Sequence, residues 1–262
     1  MTTVRSKTQD SYDDLLSSAA LIFNDDFNSL DTIDINNTGM PGFNWYLRRA
    51  FGYPHLNPSS ISVANSILTL NNAGSNHAQF DLCSAMGTTG GGHIGFAPSG
   101  KLYFEAAIKF NPTDFASKVA AFWSMSTQHV FAYSITPTPY SYVELDFMEF
   151  NQAWSSAMLA STGWFNTNHV WTRTGGGGPH TSVEQGAKLI KTGLIDFNQF
   201  HTYGCLWEPG VKIETWFDRM KMRTLLFSDH PTLEAGNSHN FPIILGSPGS
   251  NLQLDWVKVY SF

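Results

Sequence analysis

Glu144, Asp146 and Glu149 stand inside SYVELDFMEF (141–150), whose other residues are mostly those of a buried strand. On a strand, residues i and i+2 share a face, so Glu144 and Asp146 point together while Leu145 and Phe147 face the core. Glu149 has the opposite parity. One extra residue near Phe147–Met148, a β-bulge, brings all three acids to one face. Four strand steps then separate the Cα atoms of Glu144 and Glu149 by ~13 Å. Two Glu side chains leaning together bring their carboxyl groups to ~5–6 Å, close to the ~5–5.5 Å of a retaining glycosidase with one nucleophile and one acid/base. An acid between them raises the cost of ionising all three, so a proton is retained near neutral pH. Two other readings fit the same letters. Alternating acids are also the mark of a solvated strand face, and three carboxylates can hold a divalent cation, although such sites usually draw more oxygens from loops.

The rest of the chain must position these acids. Its 262 residues suffice for one large domain. Short apolar or alternating runs recur at 60–70, 100–110, 119–126, 141–150, 200–209, 211–218 and 252–260, separated by Gly, Pro, Asn and Ser. That pattern predicts an all-β fold, a two-sheet antiparallel sandwich. A helix is expected only near SYDDLLSSAALIF, so residues 1–22 are read as a partly helical extension and 23–262 as the sandwich domain. The glycine-rich stretches 88–95 and 173–180 lack the strand–loop–helix context of a phosphate loop.

Composition narrows the partners. Charged residues make up 14 % of the chain and aromatics another 14 %, and the net charge is −6. No basic field exists to release counterions, so nucleic acid is not an expected partner, whereas a neutral polymer is. No apolar run approaches a membrane span, and the N-terminal 23 residues, with Asp10, Asp13 and Asp14 before a short apolar patch, do not read as a signal peptide. Cys83 and Cys205 are too few for a disulfide framework; they either pair or, the favoured reading, stay as buried thiols.

VELDFMEF resembles the E-x-D-x-x-E signature of glycoside hydrolase family 16, in its bulge-containing branch of laminarinases, agarases and carrageenases. FNDDFNSLD (23–31), GKLYFEAAIKF (100–110), VAAFWSMS (119–126), FHTYGCLWEPGVKIETWFDRMKM (200–222) and LQLDWVKVY (252–260) are similar to further family segments in the right order, so the resemblance covers about 23–262. It implies a concanavalin-like β-jelly-roll with a concave substrate cleft and endo-acting, retaining hydrolysis of a β-linked polysaccharide, with β-1,3-glucan favoured. Glu144 would be the nucleophile, Glu149 the general acid/base, and Asp146 the hydrogen-bonding neighbour of Glu144. The same acids serve a transglycosylase, and a non-catalytic carbohydrate-binding protein on this fold is the alternative outside enzymes.

The resemblance also places Trp123 beside the acids. Trp45, and Trp164 or Trp171, are further candidate sugar platforms, while Trp207, Trp216 and Trp256 are expected to be structural. His169 is a candidate for the family's histidine after the catalytic strand. Arg48 and Arg49, in a chain poor in charge, are candidates for a sulfate or uronate group. No organic cofactor is required. A structural calcium, as in many family members, would use Asp26, the Gly100 carbonyl and Asp255. A monomer, secreted or extracellular as in the family, is expected.

Overall fold

The computed structural model describes residues 7–47, 57–71, 81–111, 120–132, 136–150, 163–174, 180–184, 188–191, 195–246 and 251–262. A helix, α1 (Lys7–Leu16), precedes the first strand, β1 (Ala20–Asp25). Short strands follow: β2 (Ile61–Ala64), β3 (Ile67–Asn71), β4 (Asp81–Cys83), β5 (Ala85–Gly87) and β6 (His93–Gly95). Next come β7 (Leu102–Phe110), β8 (Ala120–Met125), the one-turn helix α2 (Thr127–Val130) and β9 (Tyr140–Phe150). Then come β10 (Gly163–Arg173), β11 (His180–Glu184) and β12 (Lys188–Lys191). The chain ends with β13 (His201–Glu208), β14 (Lys212–Phe217), β15 (Met220–Leu226), β16 (Ile244–Gly246) and β17 (Asn251–Ser261).

The expected strand runs are present, with one subdivision. The run 60–70 is a hairpin, because Asn65 and Ser66 take φ of 53° and 58° and turn β2 back onto β3. Asp218 and Arg219, at 45° and 64°, do the same between β14 and β15. The glycine-rich stretch 88–95 joins β5 to β6. Gly95 there has φ +84°, and a Cβ would collide with the Ser84 carbonyl oxygen.

Two large antiparallel sheets result, beside the two-stranded β5–β6 pair. One has eight strands in the order β15-β14-β13-β7-β17-β3-β2, with β1 also on β17. The other has seven, β11-β10-β9-β8-β16-β4, with β12 also on β10. Their inner faces share one apolar core, in which Phe104 of β7 stacks on Phe147 of β9 at 4.8 Å and Phe110 meets Phe150 at 5.1 Å. The all-β sandwich expected from the strand spacing is the fold observed. Cys83 and Cys205 are buried thiols outside any disulfide, on β4 and β13 of different sheets.

Sheet pairing begins before residue 23, since Ala20 lies opposite Ser261. Helix α1 covers the outer face of the eight-stranded sheet, where Tyr12 packs with Tyr103, Leu206 and Trp216. The Tyr12 hydroxyl donates to Glu105 Oε2 at 2.8 Å, and that carboxyl is 2 % exposed. Burial raises the Glu105 pKa above its ordinary 4.5, against the lowering effect of its hydrogen bonds and nearby cations. The folded state therefore holds this proton more tightly than the unfolded chain. The stabilising contribution is complete below pH 4.5 and is lost as pH rises through the folded value. Glu105→Gln is expected to flatten the decline in melting temperature above pH 4.5, measured as the difference from wild type across a pH series. Parallel curves would remove Glu105 as the cause.

Candidate active site

Strand β9 carries the bulge that the acid spacing calls for. Against β10, Glu149 pairs with Phe165 but Asp146 pairs with Thr167, three residues against two. Against β8, Met148 pairs with Phe122 and Asp146 with Trp123, two residues against one. Both neighbours thus place one extra residue on β9 between Asp146 and Glu149. Phe147 and Met148 both enter the inter-sheet core, along with Val143, Leu145 and Phe150. Parity is thereby reset, and Glu149 joins Glu144 and Asp146 on the outer face of the seven-stranded sheet. Glu144 and Glu149 are half-buried, whereas Asp146 is buried.

The neighbouring strands surround this row. From β8, Trp123 lies opposite Asp146 and Met125 opposite Glu144. From β10, Thr167 faces Asp146, His169 faces Glu144 and Trp171 faces Tyr142. Burial, followed by the charges of Glu149 and Glu144, lifts Asp146 well above the usual carboxylate range. The His169 Nε2 atom stands 3.5 Å from Asp146 Oδ2. The Trp171 indole N–H donates to Glu144 Oε2 at 2.5 Å. Beyond Glu144, Trp123, Trp171, Phe131 and Tyr140 pack against a small apolar cluster of Cys83, Met125, Val130, Tyr142 and Ile244. The result is a pair of half-buried acids on either side of a buried carboxyl whose proton affinity is raised, in an aromatic surround.

Several candidates lie elsewhere. Trp45 and Trp164 are both 0 % exposed and belong to the inter-sheet core, so neither presents a ring to a sugar. Trp45 gives its indole N–H to Asp25 at 2.8 Å. Trp164 has inward parity on β10 and packs on Tyr203 and Phe217 at 5.1 and 4.5 Å. Trp123 and His169 are on the acid face, next to Asp146. Arg48 and Arg49 lie outside the described residues.

The calcium trio is corrected by strand register. Asp255 is the bulged residue of β17, between Leu254 opposite Ile108 and Trp256 opposite Ala107. Asp26 follows β1, whose Asp25 pairs with Val257, so the two acids are near the middle of β17. Gly100 precedes the β7 residue Leu102, which pairs with Ser261 at the C-terminal end of that strand. Seven residues from Asp255 to Phe262 at ~3.3 Å each span ~23 Å, too far for one coordination shell of 2.3–2.6 Å ligands. These three groups do not fit a single calcium ion.

One contributor had no sequence signal. Asn166 occupies the β10 position that the bulge skips, and its side chain turns inward, 1 % exposed. Its Nδ2 donates to the Asp146 carbonyl at 2.7 Å, at the residue where the bulge begins. Its Oδ1 accepts from Thr215 Oγ1 at 2.8 Å and Arg223 Nη1 at 3.2 Å on the opposite sheet. The bulge is thus tied across the sandwich.

No protein-family model matches the chain, and no curated protein matches it in sequence. Solved structures do match in fold. Porphyranase B from Zobellia galactanivorans has a TM-score of 0.60 at 12 % identity, over 93 % of this chain and 92 % of that one. SCLam, a non-specific endo-β-1,3(4)-glucanase from family GH16, has 0.58 at 18 %, over 94 % and 96 %. The endo-β-1,3-glucanase from Pyrococcus furiosus has 0.56 at 18 %, over 93 % and 95 %. At such identities the likeness establishes the sandwich fold expected from the sequence resemblance. Among the described residues, no helix is long and apolar enough to cross a membrane.

Proposed function

We propose that this chain is a glycoside hydrolase of family 16, endo-acting and retaining, that cleaves a β-linked polysaccharide of β-1,3-glucan type. The observation that carries the proposal is the bulge at Phe147–Met148, seen from both neighbouring strands, which puts Glu144 and Glu149 on one face around buried Asp146. A solvated strand face needs no such insertion and does not bury its central acid. The likeness to endo-glucanase and porphyranase structures, and the sequence resemblance, support the same reading.

In the first half-reaction a Glu144 oxygen bonds to the anomeric carbon while the glycosidic C–O bond breaks. The bond electrons pass to the leaving oxygen, which takes the Glu149 proton. In the second, Glu149 removes a proton from water, whose oxygen displaces Glu144 and regenerates the carboxylate. Burial and the charges of both neighbouring acids raise the proton affinity of Asp146, which disfavours a third negative charge at the site. Trp123 offers a flat ring beside this centre. Polysaccharide is the partner, and residence outside the cell is expected as in the family that the sequence resembles.

A panel of laminarin, mixed-linkage glucan, agarose, porphyran and carrageenan, assayed for new reducing ends, tests the reading. Laminarin is expected to give the most, with NMR showing β-configured product at first release. Binding without cleavage would instead mark a carbohydrate-binding protein, and an α-product would exclude double displacement.

A further inference from the structure

The hydrogen bond from Trp171 to Glu144 gives this strand neighbour a task. Trp171 lies two residues beyond His169 on β10, opposite Tyr142, so its ring reaches Glu144 diagonally across the strand pair. The ring itself is held in place. It runs nearly parallel to Tyr142, at 9° and 6.3 Å, and His129 of α2 stacks on that tyrosine at 3.7 Å and 4°. His129 Nδ1 in turn meets the Tyr140 hydroxyl at 2.9 Å. Three flat side chains from α2, β9 and β10 therefore form one stack, and its β10 member points an N–H at the carboxylate.

We propose that Trp171 is the positioning residue for Glu144: its indole N–H fixes the rotation of the carboxylate and favours its ionised form. The proposal rests on the hydrolase reading above. An indole can only donate, so the bond selects a carboxylate oxygen and is strengthened by its negative charge. Orientation matters because a nucleophile attacks efficiently only from a near-aligned position. Ring packing alone would do neither.

Trp171→Phe keeps a ring against Tyr142 while removing the donor N–H together with part of the ring, and its melting temperature is expected to stay close to wild type. The variant's kcat is expected to fall roughly 10-fold or more with KM changed less than about 2-fold. The acidic limb of its kcat/KM profile should move up by about 0.5–1 pH unit, since the ionised form has lost a donor. The other groups around Glu144 are retained: Asp146, Glu149 and Tyr142 on β9, His169 and Arg173 on β10, and His129 on α2, while β8 and β16 present Met125, Trp123 and Ile244. An unmoved acidic limb, or a rise in KM alone, overturns the proposal.

A second measurement does not depend on turnover. In protein labelled with ¹⁵N at its eight tryptophans, the indole resonance lost in Trp171→Phe should titrate with pH in wild type and lose that step in Glu144→Gln. A flat titration in an active enzyme overturns the positioning role. Absence of any cleavage with the titration intact overturns the hydrolase reading instead.

Discussion

Glu144→Gln is expected to reduce polysaccharide cleavage by roughly 10⁴-fold or more, equivalent to about 5 kcal/mol of barrier. The substitution is nearly isosteric, and the amide oxygen still accepts from the Trp171 N–H, so the fold and the stack beside it are retained. What disappears is the charge that attacks the anomeric carbon. Glu149→Gln should behave differently. It removes the acid of the first step and the base of the second, a loss of roughly 10²–10⁴-fold. Substrates with good leaving groups escape the first part of that loss. A small anion such as azide, which needs no base, should restore turnover in Glu149→Gln with such a substrate. Reducing-end assays on the polymer, and release of an aryl leaving group with and without azide, separate the two roles. If both variants cleave the polymer as wild type does, the acids are not the catalytic pair.

Asn166→Ala should have the largest effect on stability among changes near the site. Three groups lose a partner: the Asp146 carbonyl, the Thr215 hydroxyl and the Arg223 guanidinium. Asn166 is buried, so water does not readily replace it, and each orphaned group costs about 1–3 kcal/mol less whatever relaxation recovers. A net loss of about 3 kcal/mol corresponds to a melting temperature lower by roughly 6–12 °C in a chain of this size. Activity should fall too at temperatures where the variant is folded, because the untied bulge no longer fixes Glu149 relative to Glu144. Calorimetry together with kcat below the transition tests both parts. A melting curve unchanged from wild type would show that the bulge is held by its flanking strands alone.

How much of this was legible in the chain differs between elements. The two-then-three spacing of ELDFME was enough to expect a bulge, because strand parity is a local property of the backbone and Glu149 violates it. The strand runs were legible for the same reason. The 60–70 run shows the limit, since positive φ at Asn65 and Ser66 converts one apparent strand into two. The tryptophans were only partly sorted by sequence, which placed Trp123 beside the acids but did not separate Trp45 and Trp164 from Trp171. Trp45 and Trp164 went to the core and Trp123 and Trp171 to the acid face, and aromatic residues serve both environments equally well.

By itself, then, the sequence determined the all-β class, the acid triad and the irregularity that unites it, all of which are written in short-range periodicity. Only the tertiary structure decided what surrounds the triad. The pairing of β10 with β9 selects His169 and Trp171 as neighbours of the acids, and the opposite sheet supplies Thr215 and Arg223 to the Asn166 that ties the bulge. The register of β17 separates Gly100 from Asp255 although both looked available. Register and sheet packing are long-range choices, made by which faces bury together, and no spacing within one strand encodes the partner that a neighbouring strand will bring.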